Sequence, residues 1–141
     1  SKKDDKSQTT IYLDVVEDLE LIGDYCKDIL ERVQIKIEER LLFSNEAVKE
    51  YSDLYHKTKY ALEEVVGALK RDDFGGVKKV LENERYFNTL VNEYRERHNQ
   101  RLISGICTPI ACNMFLNMLD FTAEVYNHTK KIATNLLKIK D

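Results

Sequence analysis

Glu17, Glu20, Asp24, Asp28 and Glu31 recur at intervals of three or four residues. That spacing stacks side chains one helical turn apart, and at 100° per residue the five fall within about 80° of one another. Like charges one turn apart disfavour an isolated helix by roughly 0.2–0.5 kcal/mol per pair, so something should offset the repulsion. Carboxylate oxygens suit hard or borderline cations, which makes divalent or iron-type metal ions the expected ligands of Glu17, Glu20, Asp24 and Asp28. The alternative is a solvated acidic face with lysines from a neighbouring helix close by. A fainter version follows downstream: Asn113, Asn117, Asp120, Glu124 and Asn127 line one helix side, with His128 on its shoulder. Asp120 and Glu124 are the candidate metal ligands there, and Lys131 on the same side opposes a cation.

Two further groups invite chemistry. Glu84, Arg95 and His98 project among Val80, Val91 and Leu102 on an otherwise apolar helix face. A charge in such a place must be paired or neutralised. The expected outcome is a buried polar network that fixes helix register, with a ligand or switch site as the alternative. Cys26, Cys107 and Cys112 are an odd count without a disulfide framework and fit reduced thiols. Cys107 and Cys112, separated by four residues and without a second pair, are weak metal ligands, and Cys26 is expected on the core face as packing. No glycine-rich phosphate loop, HExxH, nucleophile elbow or CxxC pair is present, so no enzyme is expected.

The elements that must position these residues are helices. Apolar residues recur at helical spacing almost throughout, and no strand pattern competes. The first helix is expected from about Ile11 to Arg40, with Val15, Leu19, Ile22, Cys26, Ile29, Leu30, Val33 and Ile37 on its core face. Ser44 is placed to cap a second helix reaching about Arg71. A third helix should start near Val77 and end at Ser104-Gly105. Thr108-Pro109 opens a fourth, with Phe115, Met118, Thr122, Val125, Thr129, Ile132 and Leu136 facing the core. Short connections between four long helices predict an all-α, up-down-up-down bundle.

Composition sets the bounds. The 141 residues are one domain's worth of material, with 43% hydrophobic and 33% charged residues, one proline and five glycines. A net charge of -3 and the lack of a basic cluster exclude a nucleic-acid partner held through phosphates. The first ten residues are polar and carry no signal-peptide pattern, and no apolar run approaches the ~20 residues that span a bilayer.

The segment Asp18-Leu19-Glu20-Leu21-Ile22-Gly23-Asp24-Tyr25-Cys26-Lys27-Asp28-Ile29 resembles the signature helix of PhoU-type phosphate-transport regulators, D-L-E-R-I-G-D-H-A-x-N-I. Leu21 stands for the usual arginine, Tyr25 for the histidine and Asp28 for the asparagine. That family carries the motif twice, once per three-helix repeat. The second copy here is Leu119-Asp120-Phe121-Thr122-Ala123-Glu124, with the acids exchanged and the Ile-Gly pair lost. The stretch from Glu93 to Leu102, with its Glu-Tyr-Arg-Glu-Arg-His run, narrows the similarity to the PhoU-like domain of bacterial sodium-dependent phosphate cotransporters. The resemblance implies a cytoplasmic regulatory domain on the inner side of the plasma membrane, partnered by a membrane-embedded transporter portion of the same parent chain; the alternatives are a freestanding PhoU-type regulator that binds an ATP-driven phosphate transporter or a sensor kinase, and a structural helical module that dimerises. Of the six helices of a full domain, the chain matches the third of repeat one and all three of repeat two, an incomplete repeat pair. Residues 1–10 are then a flexible linker remnant and 11–141 the helical domain, a soluble fragment expected to form a homo-oligomer through the apolar surface it bares.

Overall fold

The computed structural model describes residues 2–140, and 87% of the molecule is helical, with no strand among the described residues. Five helices follow one another: α1 (Lys2–Glu38), α2 (Asn45–Arg71), α3 (Val77–Glu82), α4 (Glu84–Ile103) and α5 (Pro109–Lys140).

Local chemistry sets their ends. Helix α1 stops at Arg40, whose φ of 54° is left-handed, and the Leu41 and Arg40 amides donate back to the Lys36 and Ile37 carbonyls. Gly105 (φ 76°) ends α4 in the same way, with Ile106 and Gly105 donating to Arg101 and Leu102. At the other ends, the Ser44 hydroxyl accepts from the Ala47 amide at 3.1 Å and Thr108 accepts from Ala111 at 3.2 Å. Pro109 sits in the first turn of α5, where its missing N–H costs nothing.

Two expectations about the elements need correcting. The first helix, expected from about Ile11, is described from Lys2: nothing in 2–10 breaks a helix, and the Thr9 and Thr10 hydroxyls bond back to the Asp5 and Lys6 carbonyls. The expected third helix is two, separated at Asn83. There the Val80 carbonyl takes a hydrogen bond from the Tyr126 hydroxyl of α5 at 2.9 Å. A side chain inserted into a backbone ladder is a recognised cause of such a break.

Helix α5 is the hub. Its Cα atoms come within 8 Å of α1, α2, α3 and α4, whereas α1 comes that close to no other helix than α5. All seven core positions expected on α5, from Phe115 to Leu136, are buried. Helix α1 departs more from expectation. It buries Val15, Asp18 and Ile22 against α5 and half-buries Tyr25 and Ile29, while Leu19, Cys26, Leu30 and Ile37 are exposed. Two apolar rows run side by side on this helix. One (Val15, Asp18, Ile22, Tyr25, Ile29) meets α5; the other (Tyr12, Val16, Leu19, Cys26, Leu30, Ile37), about 100° round, faces outward. Cys26 is therefore a surface thiol, not core packing. Between α1 and α2, Cys26, Ile29 and Leu30 oppose Tyr51, Tyr55 and Leu62 across an apolar groove of about 330 Å³.

Candidate functional site

Glu17, Glu20, Asp24 and Glu31 lie exposed along α1, and Asp28 is half-buried. No ion pair closes on any of the five among the described residues. Nor do any three of these carboxylates converge to metal-ligating distance. Glu17 and Asp14 do line an open groove against Lys131 and Lys138 of α5. Glu20, Asp24 and Glu31 face solvent.

The second carboxylate pair is engaged. Asp120 takes the Arg95 guanidinium at 2.5 Å, and Glu124 lies 3.7 Å from Nε2 of His128. His128 is buried, and its Nδ1 meets Asp18 of α1 at 2.8 Å. Tyr25 stacks on the same imidazole, with centroids 5.8 Å apart, and tilts against Phe121 at 6.1 Å. Segments 18–29 and 119–124 thus meet across the α1–α5 seam, joined by His128.

Glu84, Arg95 and His98 do not form one network. Glu84 pairs with Lys130 at 2.7 Å, Arg95 with Asp120, and His98 with Arg101. The first two pairs tie α4 to α5 at different levels, the third lies within α4, and only His98 is fully buried.

The densest polar cluster lies where α4 hands over to α5. Glu50 of α2, buried at a core position, receives Arg101 through two contacts, Nη2–Oε1 at 2.5 Å and Nη1–Oε2 at 3.3 Å. The same guanidinium donates to Nδ1 of His98, from Nε at 3.2 Å and Nη2 at 2.9 Å. A guanidinium only donates, so Nδ1 is an acceptor and the neutral ring carries its proton on Nε2. Nε2 faces Cys107 Sγ at 3.9 Å, and Cys112 completes the group. The ring stacks on Phe115, with centroids 3.9 Å apart.

Burial, and then the Arg101 charge, push the His98 pKa down to about 4, against partial opposition from Glu50 and a bond to the Cys112 backbone. The unfolded chain therefore binds a proton before the folded one does. Stability contributed by neutral His98 is complete above pH ~6.5 and lost as pH falls toward ~4. In chelator-treated protein, urea denaturation over this window should show a loss of roughly 3 kcal/mol that a His98→Gln variant largely abolishes.

Glu50 and Arg101 were not singled out in the sequence. Glu50 had a signal, because Ala47, Glu50, Leu54, Thr58, Ala61 and Val65 share one helical stripe and all are buried. An acid in that stripe needs a buried cation. Elsewhere, Asp53, Tyr86, Phe87 and Tyr126 line a cleft of about 300 Å³ beside the Asn83 break, where the Tyr94 hydroxyl donates to Asp53 at 2.7 Å.

A scan against protein-family models gives no match, and comparisons with curated proteins and with solved structures give none either. Among the described residues, no helix is long and apolar enough to cross a membrane.

Proposed function

We propose that the chain is a PhoU-like regulatory module of a sodium/phosphate symporter, acting by binding and relay rather than catalysis. Its four long helices run up-down-up-down, with α3 as a short prelude to α4, and it sits on the cytoplasmic side of the membrane beneath the transporter portion of its parent. The observation that carries this reading is the Glu20–Asp24 face. Its carboxylates stand exposed and without internal ion pairs, in the segment that resembles the family signature. A divalent or iron-type cation, or a basic segment of the transporter, would relieve their mutual repulsion. The seam on the opposite side of α1 joins segments 18–29 and 119–124 through Asp18, His128 and Glu124, so a ligand on the acidic face would reach the α1–α5 packing through the helix itself.

The test is phosphate uptake by the full parent carrying Glu20→Ala and Asp24→Ala together. Both side chains are exposed, so stability should change by no more than about 0.5 kcal/mol per site, while the control of uptake by phosphate supply should be lost. Normal control would show the acidic face to be solvation alone. The outward apolar row of α1 favours a second reading, a module whose role is to dimerise. A stable dimer in sedimentation, together with unaltered transport by the double variant, would support that one instead.

A further inference from the structure

The handover from α4 to α5 holds donor atoms of a different kind from the acidic face. We propose that His98, Cys107 and Cys112 form a metal site for zinc or a similarly thiophilic divalent ion. One ligand atom from each residue lies within 4.8 Å of the other two, and this is the one such group of three among the described residues. Tetrahedral zinc with bonds of about 2.3 Å to sulfur and about 2.0–2.1 Å to nitrogen places sulfur and nitrogen about 3.6 Å apart. Cys107 Sγ and His98 Nε2 already stand 3.9 Å apart.

The surroundings suit coordination. His98 is buried and held by stacking on Phe115, so its ring is pre-positioned. Cys112 is buried beside Cys107, and burial and then that neighbour push its thiol up to about 11 against the Arg101 charge, so the free thiol is neutral and the ion itself must supply the charge that holds a thiolate. Cys107, half-buried in the connection, leaves a way in and an open fourth position. Two thiolates balance the ion's double charge, while Arg101 remains balanced by Glu50. Sulfur and imidazole donors select zinc-class ions over calcium or magnesium. The turn that gathers the ligands is the left-handed Gly105, which brings the connection back over His98.

Binding requires one rearrangement. Arg101 holds the imidazole proton on Nε2, the atom that must ligate. The proton therefore moves to Nδ1 and Arg101 releases the ring, keeping Glu50. Each thiol loses a proton to solvent, so affinity falls as pH is lowered.

The experiment uses reduced, metal-stripped protein titrated with Co²⁺ and then with Zn²⁺. The expected result is one Co²⁺ per chain, with thiolate-to-cobalt absorption and the intense visible bands of a tetrahedral site, displaced by one Zn²⁺. Long-range ¹⁵N spectra of His98 should change from the Nε2–H to the Nδ1–H tautomer on Zn²⁺ binding. Cys107→Ser, at a half-exposed position that tolerates substitution, should weaken binding about 100-fold or more. Cys26→Ser, remote from the cluster, should leave it unchanged. Absence of the tetrahedral spectrum in folded protein, its survival in Cys107→Ser, or an unchanged His98 tautomer would each overturn the proposal.

Discussion

Glu50→Ala should lower the free energy of unfolding by about 3–5 kcal/mol, the largest loss expected from any single polar substitution in this chain. The Glu50 and Arg101 side chains are 8% and 11% exposed, and they meet through two contacts at the junction of α2 and α4. Removing the acid leaves a guanidinium buried against Phe115 with only a neutral imidazole as partner. Arg97 cannot substitute: it carries the same sign of charge, reaches Glu50 only at 3.6 Å and is largely exposed. Loss of Glu50 also removes the charge that partly supports protonation of His98, so the imidazole becomes harder to protonate. Urea denaturation measures the effect. A Glu50→Leu, Arg101→Met double variant should recover most of it, because desolvation of two charges cancels much of what a buried pair contributes. If the single substitution cost less than ~1 kcal/mol, water would have to reach Arg101, and the node would not be the closed anchor described.

Phe87→Ala should cost about 3 kcal/mol or more. Phe87 is buried and lies nearly parallel on Tyr126, with centroids 3.8 Å apart and planes 7° apart. Tyr126 in turn supplies the hydrogen bond to Val80 at the α3–α4 break. Truncating the phenyl removes the buried area and lets the Tyr126 ring leave the position from which it serves that carbonyl. The void would open into the neighbouring cleft of about 300 Å³, which Phe87 already lines. Water entry there moderates the cost, which places it near the lower end of the 3–5 kcal/mol range for such truncations. Tyr126→Phe separates the contributions: it keeps the stack and should lose only about 1 kcal/mol. Denaturant midpoints of the two variants, compared at equal m-value, test the division.

What could be read from the sequence was whatever repeats locally. Ser44, Thr108-Pro109 and Gly105 mark helix ends through contacts within five residues, and each occupies the place its chemistry implies. The core face of α5 was legible because one apolar stripe dominates it. On α1 two stripes compete at neighbouring angles, and hydrophobicity alone favoured a face centred on Leu19 and Cys26. The decisive residue was Asp18, whose burial depends on His128, 110 positions away. The Asn83 break was hidden for the same reason, since the hydroxyl that takes up the Val80 carbonyl beside it comes from Tyr126 on another helix. The sulfur cluster lay closer to view: His98, Cys107 and Cys112 fall within fifteen residues, but spacing alone presents Cys107 and Cys112 as a pair and leaves the histidine on a separate helix. The turn at Gly105 makes them a trio.

The central place of α5 also bears on how the chain is made. Helices α1 to α4 leave the ribosome before their common partner exists, and among the described residues α1 comes close to no other helix. Contacts such as Asp18 with His128 must close a loop of more than a hundred residues, which favours late and collective ordering over growth from the first helix. Until Pro109–Lys140 is synthesised, the apolar rows of the earlier helices are clients for chaperones. A ribosome that stalls ahead of α5 therefore leaves α1 without the one partner it has among the described residues.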